Sequence, residues 1–176
     1  MENRRVPDVT FKTRTGDEDA IGGCNFIGGE WKDLTSDHYF KGKKVVLFSL
    51  PGAFTPICSS QQLPGYQENY DKIKSLGIDE VYCISVNDAF VMNAWARDLD
   101  IKNVKMIPDG CGTFTRSMGM LVNKPAQGFG MRSWRYAAVV KNGIVEKWFE
   151  EPGINNYSDD DDPYTVSSPE KVLENI

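Results

Sequence analysis

With 176 residues, 40% of them hydrophobic, and a net charge of −5, the chain suits one globular domain (residues 1–176) and opposes nucleic acid or anionic lipid as partners. No apolar run is long enough for a membrane span, and Met1-Glu2-Asn3-Arg4-Arg5-Val6-Pro7 has no hydrophobic segment behind its arginines, so no signal peptide is expected. The cysteines at 24, 58, 83 and 111 form no C-x-x-C pair, which disfavours a metal site or disulfide framework and points to a reducing, cytoplasmic location.

Val9-Thr10-Phe11-Lys12-Thr13 alternates as an edge strand would, and Gly16 to Gly29 is loop-like. The apolar run from Lys44 to Leu50 predicts a strand covered on both faces. Leu63, Tyr66, Tyr70, Ile73 and Leu76 then form a helical stripe, with a kink expected at Pro64 and a stop at Gly77. Val81–Val86 predicts a second buried strand, and Asn87 or Asp88 caps a helix carrying Phe90, Trp95 and Leu99. Lys105-Met106-Ile107 is a short third strand. Arg135–Val140 and Ile144–Phe149 read as a hairpin joined by Asn142-Gly143, a pair suited to a type I′ turn. Asp159–Asp162 reads as a solvated acidic linker, since the spacing of a calcium loop is missing. The last helix begins at Ser167, with Glu170 completing a capping box, or at Ser168, with Pro169 at its first position. Strand, helix, strand, hairpin and helix is the order of an α/β thioredoxin-like fold, with an N-terminal strand extension and an inserted helix at 88–99.

Between the first buried strand and its helix stands Ser49-Leu50-Pro51-Gly52-Ala53-Phe54-Thr55-Pro56-Ile57-Cys58-Ser59-Ser60. A thiol where a strand turns into a helix meets unpaired backbone N–H groups and the positive end of a helix dipole, both of which favour the thiolate. The surrounding Pro, Gly, Thr and Ser residues describe a turn, so Cys58 is expected near the surface as a reactive group and not as core filling.

Pro51-x-x-x-Thr55-x-x-Cys58 resembles the active-site signature of the peroxiredoxins, and Phe48 to Pro56 is similar to their type II/type V branch. The likeness continues through Ser85-Val86-Asn87-Asp88, Pro108-Asp109-Gly110 and Gly130-Met131-Arg132-Ser133-Trp134-Arg135-Tyr136, and so spans nearly the whole chain. It implies a thiol peroxidase that reduces hydrogen peroxide and alkyl hydroperoxides through a sulfenic acid on Cys58. Thr55 would hold the peroxide, Pro51 would shield the sulfur, and Arg135 would stabilise the thiolate, with Arg132 as its competitor. Gln62, Phe54, Phe129 and Arg132 are the candidate substrate-binding positions. Gln62 stands where relatives often carry histidine, so it can hydrogen-bond but cannot carry a proton near neutrality.

A sulfenic acid must meet another thiol. No cysteine follows Cys111, Cys83 lies within a buried strand, and Cys24 and Cys111 in loops remain open as partners. The resemblance implies a one-cysteine enzyme, without cofactor, that uses glutathione or a glutaredoxin as reductant and forms a homodimer. The stretch from Met118 to Met131 borders the pocket or that dimer contact on this resemblance, the alternative being that its methionines fill gaps in the core. A thioredoxin-like disulfide oxidoreductase is the alternative enzyme, although Thr55 occupies the first place of its would-be C-x-x-C. A redox-sensing or holdase-like binding protein is the non-enzymatic alternative.

Overall fold

In the computed structural model, which describes residues 1–15, 29–156 and 162–176, β1 (Thr10–Thr15) pairs antiparallel with β2 (Glu30–Thr35). The alternation read in β1 reflects its single covered face, for Phe11 and Thr13 point inward. Of the loop expected from Gly16 to Gly29, residues 16–28, Cys24 included, lie outside the described residues. A short helix, α1 (Ser36–Phe40), leads into β3 (Lys44–Ser49).

The main sheet has five strands in the order β5-β4-β3-β8-β9, where β4 is Glu80–Ser85, β5 is Lys105–Pro108, β8 is Tyr136–Lys141 and β9 is Ile144–Glu150. β3, β4 and β5 run parallel, while β8 is antiparallel to both β3 and β9. Because β3 is central, successive side chains feed opposite cores. Val45 and Leu47 join Phe11, Phe40 and Phe114 on one face. Val46 and Phe48 join Leu63, Tyr66, Ile73 and Trp95 on the other. This is why the sequence shows a continuous apolar run there and no alternation. The β8–β9 hairpin turns at Asn142 and Gly143 with φ of 47° and 77°, the left-handed pair that a type I′ turn requires.

The helix expected after Cys58 is broken twice. Its first turn, Cys58–Gln62, is a π turn in which the Leu63 N–H reaches back to the Cys58 carbonyl. It precedes α2 (Leu63–Glu68), and α3 (Tyr70–Ser75) follows after Asn69. Pro64 has no N–H to donate, and its ring crowds the turn before it, so the wider π turn relieves the clash. Gly77, at φ 83°, follows the C-cap Leu76, where left-handed geometry ends the segment.

Helix α4 (Ala89–Asp98) connects β4 to β5 and is capped by Asp88, whose side chain accepts from the Val91 N–H at 3.0 Å. The turn after β5 leads into α5 (Thr113–Ser117) and a small sheet of β6 (Leu121–Lys124) with β7 (Gly130–Ser133). The final helix, α6 (Pro169–Leu173), is capped by Ser168 with Pro169 in its first turn. Met118 and Met120 are buried in the core, whereas Met131 is exposed.

Candidate active site

Cys58 opens the π turn at the end of a β3-to-helix loop, as the turn chemistry predicts, but it is fully buried and packs among Val46, Phe48 and Leu63. The expectation of a surface thiol is therefore corrected. The loop bends away while the first helical turn tucks its inner face against the sheet.

Arg135 comes from the short link between β7 and β8, and at 1% exposure it is a buried guanidinium. Its Nη1 donates to Cys58 Sγ at 3.5 Å and also to Gln62 Oε1. Its Nη2 pairs with Asp162, and the Tyr164 ring lies 5.6 Å from the guanidinium carbon. Burial opposes the charge on Arg135, but Cys58 and Asp162 outweigh burial and hold the guanidinium above its ordinary pKa.

Arg132 lies three residues earlier, on β7, and is committed elsewhere. Its Nε donates to the Phe129 carbonyl and its Nη1 to the Val86 carbonyl, each at 3.1 Å. Burial lowers its pKa and the charge on Cys58 partly opposes that shift, so Arg132 senses the sulfur electrostatically without reaching it. Gly52 makes room for it, since a Cβ there would lie 3.2 Å from Arg132 Nη1.

A cavity of about 370 Å³ opens beside Arg135, lined by Pro51, Thr55, Ile57, Val122, Phe129, Trp134 and Asp162 among others. Arg135 joins the two features, since it faces this cavity and donates to Cys58. Thr55 Oγ1 donates to the Gly52 carbonyl at 2.7 Å, which fixes the hydroxyl at the rim and leaves its lone pairs available.

Thus Pro51, Thr55, Phe129 and Arg135 gather at one cavity, with Cys58 against Arg135. Three expected substrate contacts differ. Phe54, at φ 63° and 54% exposed, points to solvent, because the left-handed backbone at that position turns its side chain off the rim. Arg132 borders a separate recess beside Cys111. Gln62 is fully buried and absent from the cavity wall. It anchors Arg135 and reaches the Ser49 carbonyl at 3.4 Å.

Sequence reasoning missed Trp134, Asp162 and Tyr164. Asp162 was read as part of a solvated linker, yet it is ion-paired with a buried arginine, and residues 159–161 lie outside the described set. Nothing in an aspartate run marks which member will reach a buried cation. Trp134 stands in the Arg132–Tyr136 block, and its Nε1 donates to the Glu151 carbonyl at 2.8 Å. Cys83 is buried, which pushes its thiol pKa up, and the charge on Cys58 adds to the shift. Cys111 is exposed in the turn before α5.

The Redoxin family profile matches residues 1–166. A peroxiredoxin from Rhizobium etli is 59% identical over 170 residues, covering 97% of this chain and 93% of the relative. The crystal structure of the Plasmodium falciparum antioxidant protein, a 1-Cys peroxiredoxin, superimposes with a TM-score of 0.88 at 39% identity, covering 98% of this chain and 97% of that one. Reduced Prx3 from Vibrio vulnificus, in complex with hydrogen peroxide, gives 0.81 at 32% identity, covering 99% and 97%. With the Redoxin profile matching residues 1–166 and a relative 59% identical over 97% of its length, the chain belongs to the peroxiredoxins, in their type II/type V-like branch.

Proposed function

We propose that this thiol peroxidase reduces hydrogen peroxide and small alkyl hydroperoxides through Cys58 by a one-cysteine cycle. The observation that carries the reading is the Arg135 guanidinium, which donates to Cys58 Sγ at 3.5 Å while facing the cavity. The Cys58 thiolate attacks one peroxide oxygen. An S–O bond forms as the O–O bond breaks, sulfur gives two electrons to the peroxide, and the departing hydroxide or alkoxide takes a proton from water. The sulfenic acid then condenses with glutathione, releasing water. A second thiol, from glutathione or a glutaredoxin, attacks the mixed disulfide and releases Cys58.

An ordinary thiol is already a few per cent ionised at neutral pH, so complete ionisation gains only ~10–30-fold, or about 2 kcal/mol. Donors aimed at the developing oxyanion are worth about 100–1000-fold, and Arg135 is the group placed to supply them. Thr55 Oγ1, its hydrogen already committed to Gly52, is suited to accept from the peroxide O–H. Pro51, which also lines the cavity, narrows water access to it.

Glutathione-type recycling, a homodimer and a cytoplasmic location complete the proposal. Free cysteines at 58, 83 and 111 accord with a reducing compartment. No helix among the described residues is long and apolar enough to cross a membrane.

The test is Cys58→Ser, which should abolish thiol-dependent peroxide consumption; retained activity sinks the assignment. Mass spectrometry after one equivalent of peroxide should show a sulfenic acid on Cys58, replaced by a glutathione adduct when glutathione is present. An internal disulfide would overturn the one-cysteine cycle. Sedimentation velocity reads the dimer, and a monomer at micromolar concentration would remove that part.

A further inference from the structure

A buried guanidinium needs an anion beside it, because a buried charge left uncompensated is costly. Arg135 is 1% exposed, and in the cycle proposed above Cys58 supplies a negative charge only while it is a thiolate. As a sulfenic acid, and again as a mixed disulfide, the sulfur is neutral. Gln62 offers a neutral acceptor only. Among the described residues, the carboxylate paired with Arg135 is Asp162, on Nη2, the nitrogen that does not serve Cys58.

Asp162 is delivered by an anchored piece of chain. Glu151, fully buried at the end of β9, accepts from the backbone N–H groups of Thr165, Val166 and Ser167 at 2.8, 2.9 and 2.8 Å. It also accepts from the hydroxyls of Thr165 and Ser167, at 2.7 and 2.8 Å. These bonds pin the backbone three residues beyond Asp162, and between them Tyr164 lays its ring against the guanidinium.

We propose that Asp162 is a positioning residue for the peroxide reaction: it is the standing counter-ion of Arg135, which keeps the guanidinium aimed at the cavity whether Cys58 is a thiolate or neutral. The proposal rests on Cys58 being the attacking thiolate. Nη1 thereby serves Cys58 and Gln62 while Nη2 serves Asp162, so the guanidinium plane is set through both terminal nitrogens. The arrangement costs some thiolate stabilisation, since Asp162 offsets part of the charge of Arg135. Among the described residues, the other ionisable groups that sense Cys58 are Arg132 from β7, Cys83 from β4 and Tyr164 from the C-terminal segment.

The experiment measures the second-order rate of hydrogen peroxide reduction by the full chain between pH 5 and 9, for wild type, Asp162→Asn and Asp162→Glu. For Asp162→Asn the high-pH plateau should fall about 10-fold as the guanidinium loses its second anchor. Its acid limb should move about half a pH unit lower, as Arg135 is freed to act on the thiolate. Asp162→Glu keeps the charge and should recover the plateau to within about threefold. A plateau equal to wild type in Asp162→Asn, an acid limb that stays or moves upward, or a glutamate variant as impaired as the asparagine variant overturns the proposal. Cys58→Ser, run in parallel, separates the two readings. If it retains turnover, the thiolate reading fails whatever Asp162 does; if it is dead and Asp162→Asn is normal, only the Asp162 proposal falls.

Discussion

Lysine at position 135 would keep a positive charge beside Cys58 but lose the planar fork that serves Cys58, Gln62 and Asp162 together. The second-order rate of peroxide reduction by Arg135→Lys should fall by about 100-fold. Raising the pH should return no more than the ~10–30-fold that full thiolate formation supplies. Complete rescue at high pH would reduce Arg135 to a thiolate stabiliser. Arg132→Lys should lose about threefold or less, because its fork is spent on two backbone carbonyls. If it is the worse variant in the same rate–pH measurement, the wrong arginine has been assigned. Both guanidinium groups sense the sulfur's charge, so the distinction lies in the 3.5 Å contact that Arg135 makes.

Two contacts decide how whole elements hold their places. Asp88 caps α4, which packs Met92 and Trp95 over the face of the sheet that also holds Cys58. Asp88→Ala should cost about 1 kcal/mol, read as a fall of roughly 2–4 °C in Tm. The Glu151 carboxyl is the clamp on the C-terminal segment. Burial opposes its charged form, but hydrogen bonds from Ser167 and Thr165 outweigh burial and hold its pKa below the ordinary 4.5. A carboxyl depressed in this way stabilises the fold fully above the unfolded value, and that contribution is lost as pH falls through the folded one. Glu151→Gln should therefore cost about 1–3 kcal/mol at pH 7. The gap to wild type should close as the pH falls below 4.5 and through the lower folded value. Urea denaturation at pH 7 and at successive steps below pH 4.5 checks both points, and a gap that does not narrow as the pH falls would assign the loss to packing.

At the scale of the molecule, the two apolar layers share one sheet, so a defect in either is felt by the site. Phe48 stacks on Tyr66 with ring centroids 3.9 Å apart and planes within 5°, directly joining β3 to α2. Phe48→Ala should destabilise the fold by about 3–5 kcal/mol, and the loss should be visible as a lower urea midpoint at unchanged slope. A change of less than about 1 kcal/mol would mean that the layer refills the space.

Local chemistry made much of this architecture legible from residues alone. The continuous apolar run of β3, the Asn142-Gly143 turn and the Pro51–Cys58 loop each depend on neighbours within a few positions, where residue type constrains the backbone directly. Segments such as β6, β7 and α5 are only four or five residues long, too short to display a period, and β2 is mostly exposed, so no apolar pattern announces it. The tertiary structure alone decided that Cys58 is buried and that Gln62 faces the arginine in place of the cavity, and it gave the contact to Arg135, which the resemblance favours but local chemistry cannot tell from Arg132. It likewise drew one aspartate of an acidic run onto a buried cation. These contacts join residues 77, 73 and 27 positions apart. Two arginines three places from each other are chemically equivalent in a sequence, and only the passage of the chain from β7 in the small sheet to β8 in the main one gives one the sulfur and the other two backbone carbonyls.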